Sequence, residues 1–387
     1  MAELVTLDDV RAAAVRLSGV ALRTPIEESR ALSELAGVPV LLKCEHLQRT
    51  GSFKIRGACN RIAQLSGEQR ARGVACASAG NHAQGVALSA RLAGTRATVF
   101  MPQGAPLPKV EATRAYGAEV VLVPGTFEDS VAACAAWAAA NGAEVVPPFE
   151  HLDVIAGQGT VGLELAEQVP EAGTVVAAVG GGGLLAGVAA ALRALRPDVR
   201  LVGVRAARAA HGVTMADGIA VREPGALTSA HLRAYADRMI EVSDESIARA
   251  VLLLAERAKQ MVEPAGAAPA AAVLDGALAD LPGPIVLILG GGNVDPLLLL
   301  RILRSGMGEE GRTWAFRTHL PDRPGALSAL LGVIGAAGAN VVAVEHHRYG
   351  VRDEFDQVEV YLELETRGHD HIAQLRAALA ADGYALE

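Results

Sequence analysis

Three glycine-bearing segments constrain the fold of this 387-residue chain more than any other feature. Each follows a short apolar run of strand length and precedes a run with helical periodicity. They are Ser78-Ala79-Gly80-Asn81-His82, Gly180-Gly181-Gly182-Gly183-Leu184 and Gly290-Gly291-Gly292-Asn293. Strand-like and helix-like runs alternate between them, which predicts right-handed crossovers and doubly wound, mostly parallel sheets. Ligands of such sheets bind beyond the carboxyl ends of the strands. The sequence therefore predicts an α/β fold with all three segments at the ligand-binding edge.

One lysine adds chemistry to this frame. Lys54 lies in Gly51-Ser52-Phe53-Lys54-Ile55-Arg56-Gly57, between two apolar neighbours. A desolvated lysine has a lowered pKa, which permits imine and base chemistry. The four glycines at 180–183 let the backbone approach an anion, and the helix after them offers unpaired N–H groups. Together these features indicate a carbonyl cofactor with a single phosphate. A solvated lysine and a plain strand-to-helix turn are the alternatives.

The segment 78–82 offers polar groups for a ring and for a substrate. Asn81 could donate to a phenolate oxygen, and Ser78 could bind a carboxylate together with nearby N–H groups. Helix capping is the simpler interpretation of both side chains, since Asn and Ser cap helices well. We expect His82 to be a packed histidine and not a base.

Composition narrows the function classes. About half of the residues are hydrophobic, so a sizeable core is available. The net charge of −8 is spread without a basic stripe, which argues against nucleic-acid binding. No apolar run is long enough for a bilayer and no signal peptide is evident, so we expect a cytoplasmic protein. The four cysteines lack metal or disulfide spacing and fit a reducing compartment.

The pattern changes near residue 305. Residues 306–312 are predicted to form a flexible linker, because glycines and charges cluster there. Residues 313–387 are predicted to form a βαββαβ domain of the ferredoxin-like kind, with a last short strand at 384–386.

These segments together resemble the threonine dehydratase (threonine ammonia-lyase) family of fold type II pyridoxal phosphate (PLP) enzymes. Ala156-Gly157-Gln158-Gly159-Thr160, Ala216-Asp217-Gly218 and Glu263-Pro264-Ala265-Gly266 also match its pattern. The resemblance implies a two-lobed catalytic domain at 1–305, with a small lobe at roughly 47–153. Residues 313–387 resemble an ACT domain, through Asp322-Arg323-Pro324-Gly325 and Gly338-Ala339-Asn340.

The resemblance implies roles for individual residues. Lys54 would bind PLP as an imine and act as the catalytic base. The other implied PLP contacts are Phe53, Asn81, Gly180, Gly181, Gly182, Gly183, Leu184, Glu263 and Gly290. Substrate contacts would come from Ser78, Ala79, Gly80, Asn81 and His82. An amino-acid effector would bind the ACT domain at Asp322, Gly325 and Asn340.

The implied reaction is the deaminating dehydration of L-threonine, and of L-serine, to a 2-oxo acid and ammonia. The implied assembly is a homodimer or homotetramer. Two alternatives stay open at this point: a related β-elimination or β-replacement on another amino acid such as 3-hydroxyaspartate, and an amino-acid sensor without turnover.

Three positions depart from the family pattern. Gly290 stands where relatives place a serine against the pyridine nitrogen, which puts the substrate in doubt. Ala79 stands where racemases carry a second base, which favours elimination. The stretch from Arg205 to His211 lacks the acidic pair that holds a cation in many relatives, so we predict no metal.

Overall fold

The structure is a computed structural model of the chain and describes residues 3–209, 214–347 and 356–387. The chain divides into two compact units, Met1–Leu299 and Leu300–Glu387. Each unit closes its own hydrophobic core.

The first unit contains two sheets. The larger has the strand order β1-β2-β10-β7-β8-β9 and is parallel except for the β1–β2 pair, and the smaller is wholly parallel with the order β5-β4-β3-β6. The strands are β1 (Ile26–Glu28), β2 (Val40–Lys43), β3 (Val74–Ala77), β4 (Ala97–Pro102), β5 (Glu119–Val123), β6 (Glu144–Val145), β7 (Thr174–Ala178), β8 (Arg200–Ala206), β9 (Arg238–Val242) and β10 (Ile285–Ile288). The smaller sheet falls within the predicted small lobe, whose exact limits stay a prediction.

Helices cover both sheets. They are α1 (Leu7–Arg16), α2 (Arg30–Ala36), α3 (Lys54–Ala63), α4 (Gly67–Arg72), α5 (Asn81–Leu92), α6 (Leu107–Ala115), α7 (Phe127–Asn141), α8 (Leu152–Gln168), α9 (Gly183–Leu195), α10 (Ala226–Tyr235), α11 (Asp244–Leu253), α12 (Pro264–Leu274) and α13 (Pro296–Glu309). Short 3₁₀ turns lie at Glu45–Leu47, Arg49–Gly51 and Asp217–Ile219, and a π turn at Leu254–Ala258. No helix in the described ranges is both long enough and apolar enough to cross a membrane.

The central strands β7 and β10 consist of nearly continuous apolar residues, without the alternating polar residues of a half-exposed strand, and both strands are buried. Every residue of β10 is buried, and β7 is buried over its first four residues. Strands covered on both faces have such continuous apolar runs. The larger core packs β7 and β10 against α8 and α9, and the smaller core surrounds β3 and β4. The predicted α/β class and parallel sheets are confirmed.

The three glycine segments follow the carboxyl ends of β3, β7 and β10, as predicted. Since β10 lies beside β7 in the larger sheet, the segments at 180–183 and 290–293 leave neighbouring strands. The sheet topology therefore brings two of the three segments together, and the third faces them from the smaller sheet.

Helix α8 begins earlier than the sequence pattern predicts, at Leu152 instead of Gly159. Its glycines suggested a break, but they serve close packing. A Cβ atom added at Gly159 would lie 2.9 Å from the Gly187 carbonyl of α9, and one at Gly162 would lie 2.8 Å from the Val188 carbonyl. Tertiary packing has overridden the low helix propensity of glycine here.

The region 211–237 was predicted to be rich in loops, and this prediction is partly wrong. Helix α10 occupies Ala226–Tyr235, and it buries Thr228, His231 and Leu232. Its weakly apolar sequence left little periodic signal. Residues 210–213 lie outside the described ranges.

The second unit has a three-stranded antiparallel sheet with the order β11-β13-β12. Its elements are β11 (Thr313–Pro321), α14 (Ala326–Ala336), β12 (Asn340–His347), β13 (Gln357–Glu365) and α15 (His369–Ala381). Alternate residues of β11 and β13 point into a core that includes Leu330, Leu362 and Leu375. The βαββα order follows the prediction.

Two details of this region were predicted wrongly. Residues 384–387 form no strand in the described part of the chain; only Glu387 pairs with Arg317, through two backbone hydrogen bonds of 2.9 and 3.1 Å. Too few residues remain after α15 to extend the pairing. The predicted linker begins inside α13, which stays helical to Glu309, because Ile302 and Gly306 are buried along one face.

Candidate active site

Lys54 is the first residue of α3, and its amine points away from bulk water. Its Nζ donates to the backbone oxygen of Pro148 at 2.9 Å and lies 5.2 Å from the centroid of the Phe53 ring. Burial lowers the pKa of Lys54 to about 8, although the nearby Glu263 opposes this shift. The alternative of a solvated surface lysine does not fit this position.

The segment Pro148–Phe149 connects Lys54 to the four glycines. Pro148 accepts from the Lys54 amine, while Phe149 packs directly on the glycine segment. A Cβ atom at Gly181 would overlap the Phe149 ring, and one at Gly183 would lie 3.0 Å from the Phe149 Cβ. Glycine is therefore required at 181 by a close approach, and the amine of Lys54 contacts Pro148, the residue before Phe149.

The glycine segment presents free backbone donors. Gly182 has a φ of 87°, which favours glycine, and it is the N-cap of the 13-residue α9. None of the hydrogen bonds between described residues uses the N–H groups of residues 181–184 as donors. N–H groups and the positive end of a helix dipole form a ready anion site. This geometry favours the anion-binding interpretation over a plain turn.

Gly290 closes the wall next to Lys54. Its backbone oxygen accepts from the Phe53 N–H at 3.1 Å. A Cβ atom at Gly290 would lie 3.3 Å from the Phe53 ring and 3.9 Å from Leu184. Phe53, Leu184 and Gly290 thus lie together and form an apolar wall.

The half-buried Asn81 and the buried Glu263 form a polar pair beside Gly291, the residue after Gly290. Asn81 Nδ2 donates to Glu263 Oε1 at 2.6 Å. Asn81 does not cap α5, whose N-cap is Gly80, so the capping alternative does not hold for it. Burial raises the pKa of Glu263 to about 7, and Asp217 adds to this shift, whereas Lys109, Asn81 and Lys54 oppose it.

An ion pair joins the two lobes close to Glu263. Lys109 on α6 donates to the Asp217 carboxylate at 2.5 Å, across from the smaller sheet to the larger. Both groups act on the pKa of Glu263, in opposite directions. Lys109 and Asp217 are 108 residues apart, and no sequence pattern around either of them predicts that they pair.

The remaining residues of the segment 78–82 have local partners. The Ser78 hydroxyl accepts from the Gly80 N–H at 3.2 Å, which is a turn-stabilising contact. A Cβ atom at Gly80 would meet open space, and Ala79 packs against the smaller core. His82 Nε2 donates to the Val146 oxygen at 2.8 Å, and burial, aided by the positive charge of Lys54, lowers its pKa to about 3. His82 is thus a packed neutral histidine.

Sequence reasoning missed several residues that the structure brings to this site. Asn293 donates to both Asn81 and the Thr50 oxygen, and Pro148 and Phe149 lie between the amine and the glycines. Asn293 ends a segment that was singled out for its glycines, so the signal for it was present. No local pattern marks Pro148 or Phe149.

The predicted effector residues do not form one cluster within one chain. Asp322 and Gly325 follow the end of β11, whereas Asn340 begins β12. Asn340 pairs with Glu365, which pairs with Thr313 at the start of β11. The end of β11 is eight residues away, or about 26 Å at 3.3 Å per residue. The grouping of Asn340 with the other two is therefore wrong for a single unit.

Arg205 begins the stretch that lacks the acidic pair with which many relatives hold a cation. Its guanidinium donates to the backbone oxygens of Val221 and Arg222. Within the described ranges, no group of three or more His, Cys, Asp or Glu side chains is arranged to hold a metal ion.

Comparisons with known proteins agree with this site. The family model described as pyridoxal-phosphate dependent enzyme matches residues 17–291. The L-threonine ammonia-lyase of Thermotoga maritima is 43% identical over 397 residues, covering 98% of both chains, and that of Geobacter sulfurreducens is 43% identical over 94% of both. The crystal structure of the threonine deaminase of T.th. superposes with a TM-score of 0.71 at 42% identity, covering 75% of this chain and 99% of that one. The resemblance to the threonine ammonia-lyase family of PLP enzymes is confirmed.

Proposed function

We propose that this protein deaminates L-threonine. The premise is that the chain belongs to the pyridoxal-phosphate dependent enzymes and, within them, to the threonine ammonia-lyase family. The substrate loses its β-hydroxyl as water, and water enters again as ammonia leaves. The products are 2-oxobutanoate and ammonia, so the net reaction consumes no further reactant. The enzyme is a carbon–nitrogen lyase.

The residues of the site fit PLP. The Lys54 amine would hold the cofactor aldehyde, and the free N–H groups of residues 181–184 would hold its phosphate. The wall of Phe53, Leu184 and Gly290 would face the ring, and Asn81 has an NH₂ group for a ring oxygen. When bound, PLP supplies an electron sink for the carbon that loses its proton.

Lys54 is the group that moves the proton. Its Nζ has a pKa lowered to about 8, so a substantial neutral fraction exists near neutral pH and can accept the α-proton of the substrate. Within the described residues near Nζ, His82 is already bonded to Val146 and has a pKa of about 3, which suits it poorly as a second base. A single base at this position favours elimination over racemisation.

One observation carries this proposal. The Lys54 amine and the glycine segment contact two adjacent residues, Pro148 and Phe149, although they are distant in sequence. That juxtaposition places an imine-forming amine within reach of a phosphate-binding backbone. Neither a sensor without turnover nor a simple phosphate-binding protein needs the amine there.

The test is a spectrum followed by an assay. We expect the purified protein with PLP to be yellow and to release 2-oxobutanoate from L-threonine. We expect Lys54→Ala to lose both the covalent cofactor and the activity, since no other described side chain can replace the amine at Pro148. Protein that is yellow but releases no oxo acid from threonine or serine contradicts the proposal. Release from 3-hydroxyaspartate alone would favour the alternative substrate.

A matched control distinguishes the loss of the imine-forming amine at position 54 from the effect of removing a lysine elsewhere in the chain. Lys259 is exposed and lies in a left-handed turn, with a φ of 58°. Lys259→Asn removes an amine at a conformation that asparagine tolerates. This variant should keep the colour and the activity.

We further propose serine as a second substrate and an amino-acid effector for the second unit. Serine has the same amine, carboxylate and β-hydroxyl as threonine and lacks only a methyl group, so a site built for threonine should admit it. An effector carboxylate could bind the turn at Asp322–Gly325, where Gly325 has open space around it. Since Asn340 lies at the far end of the sheet, a site using both would need a second copy of the chain.

We also infer a homo-oligomer in a reducing compartment such as the cytoplasm. All four cysteines are buried free thiols, as expected where disulfides do not persist.

A further inference from the structure

Asn293 connects a backbone carbonyl to the polar pair of the site. Its Nδ2 donates to the Thr50 oxygen at 2.6 Å and to Asn81 Oδ1 at 2.8 Å. Asn81 Nδ2 in turn donates to Glu263 Oε1 at 2.6 Å. These four residues form a continuous chain of hydrogen bonds, which we call the amide relay (Thr50, Asn293, Asn81 and Glu263).

The direction of the amide relay follows from one fixed end. The side-chain amide of an asparagine can turn either its oxygen or its NH₂ group toward a neighbour, because the two groups are similar in size. A backbone carbonyl only accepts, so Asn293 must turn its NH₂ group toward Thr50. The second proton of that group then requires an acceptor on Asn81. Asn81 Oδ1 is that acceptor, and its NH₂ group must face Glu263.

The fixed end is held by a strained backbone. Thr50 has φ 66° and ψ 10°, a left-handed conformation that is strained for a β-branched residue. The next residue, Gly51, has φ 71°, and a Cβ atom there would overlap the Asn293 side chain. The Gly51 oxygen also accepts from the Gly292 N–H at 2.9 Å. The two segments therefore lock the Thr50 carbonyl toward Asn293.

We propose that Asn293 is a positioning residue that sets the orientation of the Asn81 amide, so that Asn81 offers NH₂ and not oxygen to Glu263 and to the bound cofactor. This inference rests on the proposed function, because it concerns the same cofactor site. It adds a role for a residue that neither holds the aldehyde nor binds the phosphate.

The charges around Glu263 make this orientation consequential. Lys54 from α3, Lys109 from α6, Asp217 from its 3₁₀ turn and Asn81 from α5 all act on the pKa of Glu263. Donation from Asn81 stabilises the ionised carboxylate, so it lowers the pKa. A reversed Asn81 would place an oxygen against Glu263 and raise that pKa further.

The decisive variant is Asn293→Asp, which keeps the shape and offers only acceptors when ionised. The carboxylate at position 293 then competes with Glu263 for the NH₂ group of Asn81 and draws its oxygen toward Glu263. We expect PLP to bind at least tenfold more weakly, measured by absorbance titration of the apoprotein. Glu263→Gln in the same chain would supply a donor to the reversed Asn81.

The expected result is therefore coupling between two residues that do not touch. The double variant should bind PLP at least fivefold more weakly than the product of the two single effects predicts, because the amide introduced by Glu263→Gln stabilises the reversed Asn81. The pH midpoint of the visible band should move upward in Asn293→Asp, because Glu263 loses its donor, and this shift should be absent from the double variant, which lacks that carboxylate. Multiplicative effects, or an unchanged affinity in Asn293→Asp, would overturn the proposal.

Two further variants guard against general destabilisation. Asn60 is a buried, hydrogen-bonded asparagine, with its Nδ2 on the Asp153 oxygen at 2.7 Å, and Asn60→Asp should not show coupling to Glu263→Gln. Should Asn293→Asp fail to fold, Asn293→Ala serves instead. It leaves the Glu263 carboxylate to favour the NH₂ orientation of Asn81, so Glu263→Gln in that background should weaken PLP binding further. No further weakening overturns the proposal as well. An unsubstituted protein that binds no PLP contradicts the proposed function, and not this inference alone.

Discussion

At the scale of single residues, the site depends on glycines as well as on its functional side chains, because only glycine leaves room for several of its close contacts. Gly181 leaves room for the Phe149 ring, Gly51 for Asn293, and Gly291 for the contact between Asn81 and Glu263. Each close approach joins segments that lie on different strands or lobes. A methyl group at any of the three would push apart groups that the proposed chemistry needs together.

Gly181→Ala tests this at the phosphate end. The added Cβ would overlap the Phe149 ring, so the segment must move and its N–H groups lose their common direction. We expect PLP to bind more than tenfold more weakly, which corresponds to about 1.4 kcal/mol, with the affinity measured by absorbance titration.

The control for this prediction is Gly104→Ala, where an added Cβ meets nothing within 4 Å. That variant should bind PLP normally. In addition, Phe149→Ala in the Gly181→Ala background should regain part of the affinity, because it removes the ring that the new methyl group meets. Full affinity in Gly181→Ala alone would show that the fit at 181 is not tight.

At the scale of elements, a buried charge network anchors the helix that begins with Lys54. Arg56 on α3 donates to Glu45 through Nε and Nη2 at 2.8 and 2.7 Å, and to Glu164 of α8 at 2.6 Å. Lys43 of β2 also pairs with Glu164, at 2.5 Å. The network ties α3 to the larger sheet and to α8, only two residues from the reacting amine.

Arg56→Met should destabilise the protein by about 3–5 kcal/mol at pH 7, because it leaves a buried carboxylate without its main partner. Burial alone would raise the pKa of Glu45, but Arg56 and Lys43 lower it below its ordinary 4.5. A lowered folded-state pKa contributes stability above the unfolded value that is lost as the pH falls. Chemical denaturation at several pH values measures the effect.

In the variant, burial of Glu45 is opposed mainly by Lys43, so the folded-state pKa of Glu45 should lie above 4.5. The difference in the free energy of unfolding between the two proteins should therefore narrow as the pH falls from this raised pKa through the lowered pKa of Glu45 in the unsubstituted protein. Arg30→Met is the matched control: its pair with Glu34 is exposed on both sides and should contribute less than about 1 kcal/mol. An equal cost in both variants would contradict the importance of burial.

At the scale of the whole molecule, two units with separate cores carry separate functions in our proposal. The first unit contains Lys54, the glycine segments and the amide relay. The second contains the three-stranded sheet and its own core of leucines and aromatic rings.

We expect calorimetry of the full chain to resolve two unfolding transitions. PLP should raise only the transition of the first unit, since a ligand stabilises the state that binds it. A branched-chain amino acid should raise only the other, if it is the effector. Leu362→Ala, in the core of the second unit, should lower that transition alone, with a cost of about 2–5 kcal/mol. A single transition that PLP and Leu362→Ala both shift would show that the units unfold together.

Much of the fold was predictable because its signals are local. The short apolar runs before the glycine segments predicted β7 and β10. The start of α8 was predicted too late, because the close contacts of its glycines with α9 are not visible in either helix alone. Helix α10 was missed because its packing, and not its sequence period, stabilises it.

The sequence by itself determined the chemical parts: an amine at 54, a phosphate-binding run at 180–183 and a third glycine turn at 290–293, each after a strand. Such features are set within a few residues, by backbone freedom and strand–turn–helix geometry. Only the tertiary structure decided which groups meet. Lys54 and Pro148 are 94 residues apart, Asn81 and Glu263 182, and Thr50 and Asn293 243. Contacts over such separations depend on the order of strands in the two sheets, which no local pattern encodes.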